Sequence, residues 1–246
     1  MKNLYNKTLK VEYSDVDKQL KLSLFSATNF VQNIMTDLFE NIGITNMFLK
    51  NNYNAAWVIS KLKIHFIKYP FMNDLVNACA FISDNSKVRL CLESNFSDTN
   101  GNILFLAKQE ICPMDLSTRK DRKLQTINYP FDLELHESVF KKPFSKLNLT
   151  KDNFDSCTKY TVLPTDIDFT NHVNNASYVR FILNTFKSDF FVKNNVTDVD
   201  IQYINECREG DFINIYKKQF DNNFNFIITN GDKIIITANV VTCPLS

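Results

Sequence analysis

The chain repeats itself, and no other feature limits its fold as strongly. Three pairs of segments recur in the same order across the 246 residues. YSDVD at 13–17 resembles PTDID at 164–168, an offset of 151. IHFIKYPFMNDLVN at 64–77 aligns without gaps on IQYINECREGDFIN at 201–214, an offset of 137. TNGNILFLAKQEICPM at 99–114 resembles TNGDKIIITANVVTCPL at 229–245, with an offset of 130 at TNG and 131 at the shared Cys-Pro. A single match is within reach of chance. Three in one order, with offsets that shrink as loops shorten, mark a duplicated structural unit.

Each unit reads alike. A short strand carrying Asp-x-Asp leads into one substantial helix, and a series of strand-like runs follows. The first helix is expected over residues 24–43, with Phe30, Ile34, Leu38 and Ile42 on one stripe and Gly43 as its stop. The second is expected over 174–191, with Tyr178, Phe181, Ile182 and Thr185 on a comparable stripe. WVISKLKIHFI, LVNACAFI, VRLCLESNF and NILFLAKQEI read as strands after the first helix. VDIQYI, FINIYKKQF, FNFIITN and KIIITANVVT do so after the second. Both TNG tripeptides fall between strand runs, where Asn-Gly favours a tight hairpin. Segregated helix and sheet, repeated twice, is the pattern of an α+β protein with two antiparallel sheets, each wrapped around one long helix. The expected organisation is a first domain over 1–120, a linker over 121–152 containing Pro130 and Pro143, and a second domain over 153–246.

Composition excludes several functions. Lys and Arg total 28 against 27 Asp and Glu, so no global field points to nucleic acid or to an anionic membrane. Six cysteines at 79, 91, 112, 157, 207 and 243 form no CxxC pair, which argues against a zinc site and suits a reducing compartment. The first residues, MKNLYNKTLKVEYSDVD, hold no apolar targeting core, and no run approaches a membrane span. The expectation is a cytoplasmic protein without membrane insertion.

The densest polar cluster is DIDFTNHVNN at 166–175, placed directly before the apolar helix and holding one of three histidines. A loop entering a helix presents free backbone N–H groups and the positive end of the helix dipole. His172 to Asn175 occupy that position, and an imidazole exchanges protons near neutral pH. Asp168 and Glu206, expected on different strands, are able to converge on it to orient the ring or activate water. By the repeat offsets His172 corresponds to Lys21 and Glu206 to Tyr69, so the first unit keeps Asp15 and Asp17 but lacks the histidine and the downstream acid. The expectation is a non-catalytic first unit that shapes a pocket beside a reactive second unit.

DIDFTNHVNNASYVRFIL resembles the Asp-x-Asp-x-Asn-x-His-Val-Asn-Asn signature of the acyl-acyl-carrier-protein thioesterases of plants and bacteria, a family of tandem hot-dog domains. IQYINECREGD at 201–211 is similar to the family segment with an acidic residue that plant members follow with cysteine. YSDVD, AWVISKLKIHFIKYP at 56–70 and the Asn-Gly hairpin before MDLSTRKDRK fit the first half, so the resemblance spans essentially the whole chain. It implies hydrolysis of fatty acyl-carrier-protein thioesters without metal or organic cofactor. It also implies catalytic roles for Asp168, Thr170, His172 and Glu206, with Asn174 and Asn175 positioning the substrate or its oxyanion. Thr170 stands where the family has asparagine; its hydroxyl donates or accepts one hydrogen bond but lacks the two-sided reach of an amide.

Plainer and rival readings stand beside these. Asp and Asn before a helix commonly serve only as caps. Cys207 beside Glu206 invites a cysteine–histidine nucleophile, although alternation along a strand turns neighbours to opposite faces. His65 in an alternating strand and His136 in the charged linker read as structural or solvated. The basic clusters at Arg119–Lys123 and Lys141–Lys146 suit docking of an acidic carrier protein, or simple solvated surface. An acyl-CoA thioesterase, a non-catalytic acyl-binding protein and an enoyl hydratase share the fold, and a homodimer of the two-unit chain is left open.

Overall fold

The computed structural model describes residues 3–140, 143–147, 149 and 154–245. Lys141 and Lys142 of the second basic cluster, residues 148 and 150–152 of the expected linker, and residue 153 at the start of the expected second domain lie outside that set. In chain order the first half contains β1 (Tyr5–Lys10), α1 (Leu24–Asn41), α2 (Asn46–Tyr53), β2 (Ala55–Phe66), β3 (Leu75–Asn85), β4 (Leu90–Ser97) and β5 (Ile103–Asp115). The second half contains β6 (Ser156–Thr161), α3 (Asn175–Leu183), α4 (Phe190–Lys193), β7 (Asn194–Tyr203), β8 (Phe212–Phe220), β9 (Asn223–Asn230) and β10 (Lys233–Pro244). The class is α+β, as the sequence implies.

The two expected sheets are one. Ten strands run in the order β1-β3-β4-β5-β2-β7-β10-β9-β8-β6, so each half's order mirrors the other's about the β2–β7 seam. At that seam Lys63 pairs in register with Asp200, which is also its counterpart by the offset of 137. The pseudo-twofold axis of the duplicated chain therefore passes through this pair. In a symmetric dimer the same residue would meet itself there, and two like charges directly opposite repel. The duplicated chain places opposite charges instead, with Lys63 Nζ 3.2 Å from Asp200 Oδ2 and both side chains largely buried.

α1 forms where its stripe requires. Ser23 caps it by accepting the Ser26 N–H, Phe30, Ile34, Leu38 and Ile42 are buried, and Gly43 stops it at φ +77°. Each fully buried large side chain stabilises the fold by ~1.5–3 kcal/mol. α3 is shorter than expected, ending at Leu183 rather than near 191. Thr185 and Phe186 donate their N–H groups to Ile182 and Leu183, tightening the chain into a turn. That turn swings Phe186 onto Phe190, Phe191, Phe224 and Phe226. Aromatic packing there outweighs continuation of the helix. The Asp-x-Asp pairs also differ from expectation: each lies in and just beyond a 3-10 turn, Tyr13–Asp15 or Pro164–Asp166, after the strand rather than on it.

The described part of the linker is packed against the sheet. Leu124, Ile127, Tyr129 and Leu133 are buried. Further on, Val139 and Phe140 donate backbone N–H groups to the buried Glu93 carboxylate, and Ser145 donates to Asp200 at 2.9 Å. Among the described residues no helix is long and apolar enough to cross a membrane.

Candidate functional site

The turn that builds the site is the same in both halves. Asp168 N–H donates to His172 O at 2.8 Å, as Asp17 N–H does to Lys21 O. Asn171 N–H donates to Asp168 O as Leu20 N–H does to Asp17 O, and both Asn171 and Leu20 are left-handed, at φ +64° and +61°. Val173 N–H meets Cys207 O, and Leu22 N–H meets Pro70 O. A common scaffold thus sets position 172 or 21 opposite position 206 or 69. Only the side chains differ.

In the second half those side chains meet. His172 Nε2 lies 3.4 Å from Glu206 Oε2. Thr170 donates its hydroxyl to Asp168 Oδ1 at 2.6 Å and lies 3.3 Å from His172 Nδ1. The Thr170 N–H also donates to Asp168 Oδ1, at 2.8 Å. Asp168, Thr170, His172 and Glu206 therefore form one connected group at the amino end of α3. Contrary to the expectation of two strands, neither acid is on one: Asp168 follows the 3-10 turn and Glu206 lies in the loop after β7. His172 is 7% exposed. Burial pulls its pKa below 6.5; Arg119 and Arg208 add to that shift, while Glu206 and Asp168 oppose it. That direction favours the neutral imidazole at pH 7.

The two asparagines behave differently from the four. Asn174 Oδ1 accepts the Ala176 N–H at 2.8 Å, so it caps α3. The N–H groups of Val173 and Asn174 are also taken, by Cys207 O and Asp166 O. The expectation of a row of free donors from His172 to Asn175 thus narrows to fewer; the Asn175 N–H, at the first helical position, has no backbone partner among the described residues.

The Asp-x-Asp divides its work. Asp166 is buried and accepts from Tyr160 Oη at 3.0 Å, from Leu163 N–H at 2.8 Å and from Arg180. It ties β6, the 3-10 turn and α3 together while its neighbour Asp168 serves the cluster. Cys207 is 1% exposed, and burial pushes its thiol up to about 11, which disfavours the thiolate that a cysteine nucleophile requires.

Arg119 departs from expectation. Its basic cluster suits docking or solvated surface, yet its guanidinium reaches Glu206 Oε1 and lies 3.4 Å from His172 Nδ1. Arg122 is likewise turned inward, onto the Tyr53 carbonyl. No local motif marks Arg119; only its position just after a strand matched in the repeat hints at it. In the first half Lys21 donates to Asn195 Oδ1 at 2.5 Å, and Tyr69 donates to the Val196 carbonyl. Each site is thus completed by the opposite half. A cavity of about 80 Å³ lies beside Lys21 and Tyr69, bordered by Leu24, Leu183 and Phe191. That is far below the ~300–1,000 Å³ of an ordinary ligand pocket.

Among the described residues no group of acidic, cysteine or histidine side chains is arranged to hold a metal ion.

Comparison with known proteins gives concordant matches. A model of the acyl-ACP thioesterase N-terminal domain matches residues 2–127, and one of the C-terminal domain of the same family matches 149–241. Oleoyl-acyl carrier protein thioesterase 2, chloroplastic, of Arabidopsis thaliana is 21% identical over 202 residues, covering 76% of this chain and 53% of its own length. An acyl-[acyl-carrier-protein] hydrolase of Cuphea viscosissima, also chloroplastic, is 24% identical over 181 residues, covering 68% and 41%. The chain spans about half or less of the length of these curated relatives. The structure of 12:0-ACP thioesterase from Umbellularia californica superposes with a TM-score of 0.86 at 16% identity, covering 100% of this chain and 99% of that one. An acyl-ACP thioesterase from Bacteroides thetaiotaomicron gives 0.85 at 19% identity, covering 98% of each chain. The shared fold is the tandem hot-dog.

Proposed function

Because the chain belongs to the acyl-ACP thioesterase family, we propose that it hydrolyses fatty acyl-[acyl-carrier-protein] thioesters, releasing free fatty acid and the thiol of the carrier. The reading rests above all on the convergence of Asp168, Thr170, His172 and Glu206 at the amino end of a buried helix. In it, the thioester carbonyl sits over that helix end. Glu206 accepts a proton from the attacking water, whose oxygen bonds to the carbonyl carbon. The neutral His172 ring and the Asn175 N–H face the developing oxyanion, in the positive field of α3. Collapse breaks the carbon–sulfur bond, and the proton held by Glu206 passes to the sulfur. The 3.4 Å spacing of His172 and Glu206 is loose for a formed hydrogen bond. Such contacts commonly tighten only when substrate binds.

Thr170 stands in for the family's asparagine, its hydroxyl donating to Asp168 Oδ1 beside His172 Nδ1. Residues 1–120 form the non-catalytic half that shapes the acyl pocket, 121–152 connect the two, and 153–246 carry the reactive set. The small cavity beside Lys21 must open to accept a long chain.

The test is release of free thiol from a ladder of acyl-carrier-protein esters, with the corresponding acyl-CoA esters in parallel. The expected result is faster hydrolysis of the carrier-protein esters and loss of turnover in His172→Ala. Binding of acyl ligand without thiol release would overturn the proposal in favour of a binding protein, and preference for CoA esters would reassign the carrier.

A further inference from the structure

We propose that Arg119, supplied by the half of the chain that lacks the reactive set, is a positioning residue for this hydrolysis, donating to His172 Nδ1 and Glu206 Oε1 and so holding the imidazole in the tautomer whose Nε2 carries the proton. The inference builds on the thioester-hydrolase reading and adds to it which ring nitrogen bears hydrogen and what fixes that choice.

The chemistry of the partners decides the tautomer. A guanidinium has only donors and does not deprotonate, so a nitrogen in contact with it must present its lone pair. Arg119 Nη2 lies 3.4 Å from His172 Nδ1. Thr170 Oγ1 is also near, at 3.3 Å, but its single hydroxyl proton is committed to Asp168 Oδ1 at 2.6 Å. Nδ1 therefore accepts, and a neutral ring must carry its proton on Nε2, the atom that faces Glu206. This is the form that donates to an oxyanion. Without Arg119, a ring protonated on Nδ1 and donating to Thr170 becomes available, leaving Nε2 bare and unable to polarise the carbonyl.

The way Arg119 is held fits a device rather than a surface ion pair. Its backbone is left-handed at φ +57°, which non-glycine residues seldom adopt and which persists only where the surroundings enforce it. The enforcement is visible. Arg119 N–H donates to Asp115 O, and Asp115 Oδ1 accepts from the Ser117 and Thr118 N–H groups and from the Thr118 hydroxyl. Leu116 N–H meets Asn54 O, and Asn54 Nδ2 donates to Ser117 Oγ. The turn is thus anchored to the end of α2. The Nε of Arg119 is buried without a partner, a cost that a pair selected for stability alone would not carry.

Among the described residues the charged groups facing His172 are Glu206, Arg119, Arg208 and Asp168, and the two arginines both depress its pKa. Removing Arg119 takes away one of these, so the ring protonates at a higher pH.

The experiment uses the full chain as wild type, Arg119→Gln and Arg119→Lys. Long-range proton–nitrogen spectra of the imidazoles, with the His172 signal identified by its loss in His172→Ala, read the tautomer directly; three histidines keep the spectrum simple. Wild type should show Nε2–H, and Arg119→Gln a shift towards Nδ1–H. In the thiol-release assay Arg119→Gln should lower kcat by roughly 10–100-fold, the scale of a misplaced catalytic group. KM should stay within about threefold, the change falling on kcat because positioning is realised in the transition state. The acid limb of kcat/KM, followed from about pH 5 to 8, should move to higher pH. Arg119→Lys should restore the limb more than the rate, since it keeps the charge but not the planar guanidinium whose Nη2 meets both His172 and Glu206. An Nδ1–H ring in wild type, or an unchanged limb and kcat in Arg119→Gln, would refute the assignment. A raised KM with normal kcat would move Arg119 to carrier docking. The tautomer is read without turnover, so failure of the hydrolase reading and failure of this one are separately visible.

Discussion

The two aspartates of DID at 166–168 should respond to mutation in opposite ways. Asp166→Ala removes the acceptor shared by Arg180, the Tyr160 hydroxyl and the Leu163 N–H. Breaking a buried ion pair from one side costs about 3–5 kcal/mol because the partner is left uncompensated. The Arg180 side chain is 36% exposed, so water recovers part of that cost, and the low end applies. A loss of about 3 kcal/mol corresponds to a fall in Tm of about 6–12 °C for a chain of this size. Asp168→Ala is different. Its carboxylate serves Thr170, two residues away, and a local contact of that kind is worth under about 1 kcal/mol. Its expected effect is loss of thiol release with a nearly normal unfolding midpoint. Urea denaturation of both variants, together with turnover per folded molecule, separates the roles. A midpoint for Asp166→Ala within about 1 kcal/mol of wild type, or equal destabilisation by the two substitutions, would refute this division of labour.

Cys207→Ser should retain activity within about threefold, because the buried thiol is not the nucleophile; loss of 100-fold or more would restore the cysteine–histidine reading. Lys63→Asp places two acids opposite each other at the seam and should cost roughly 3–5 kcal/mol in urea unfolding. Adding Asp200→Lys should recover much of it, and no recovery would argue against a direct pair. Thr170→Val keeps the backbone contact to Asp168 but loses the hydroxyl, and kcat should fall about tenfold, with Thr170→Asn losing less. Equal kcat in Thr170→Val and wild type would show the hydroxyl to be idle.

Much of the fold was legible because its signals are local. FINIYKKQF is β8, residue for residue, and the stripe through Phe30, Ile34, Leu38 and Ile42 is the buried face of α1 and its cap. The repeat offsets also hold at the level of single hydrogen bonds, as the paired turns at Asp17 and Asp168 show. What escaped was decided by distant packing. α3 ends early because Phe186 finds four aromatic partners, and no helical periodicity encodes them. α2 was not anticipated at all; its stripe is short, with only Leu49 buried.

By itself the sequence determined that the chain is a duplication, where most of its strands and its main helix lie, and which half holds the imidazole and its acid. Those follow from periodicity, turn chemistry and residue identity, which act over a few positions. The tertiary structure alone decided that two sheets become one across Lys63 and Asp200, that Asp166 is structural while Asp168 faces the cluster, and that Arg119 crosses from one half into the other's site. Arg119 meets His172 and Glu206 across 53 and 87 residues of chain. Contacts of that range depend on how whole units are docked, and burial of the common core fixes the docking.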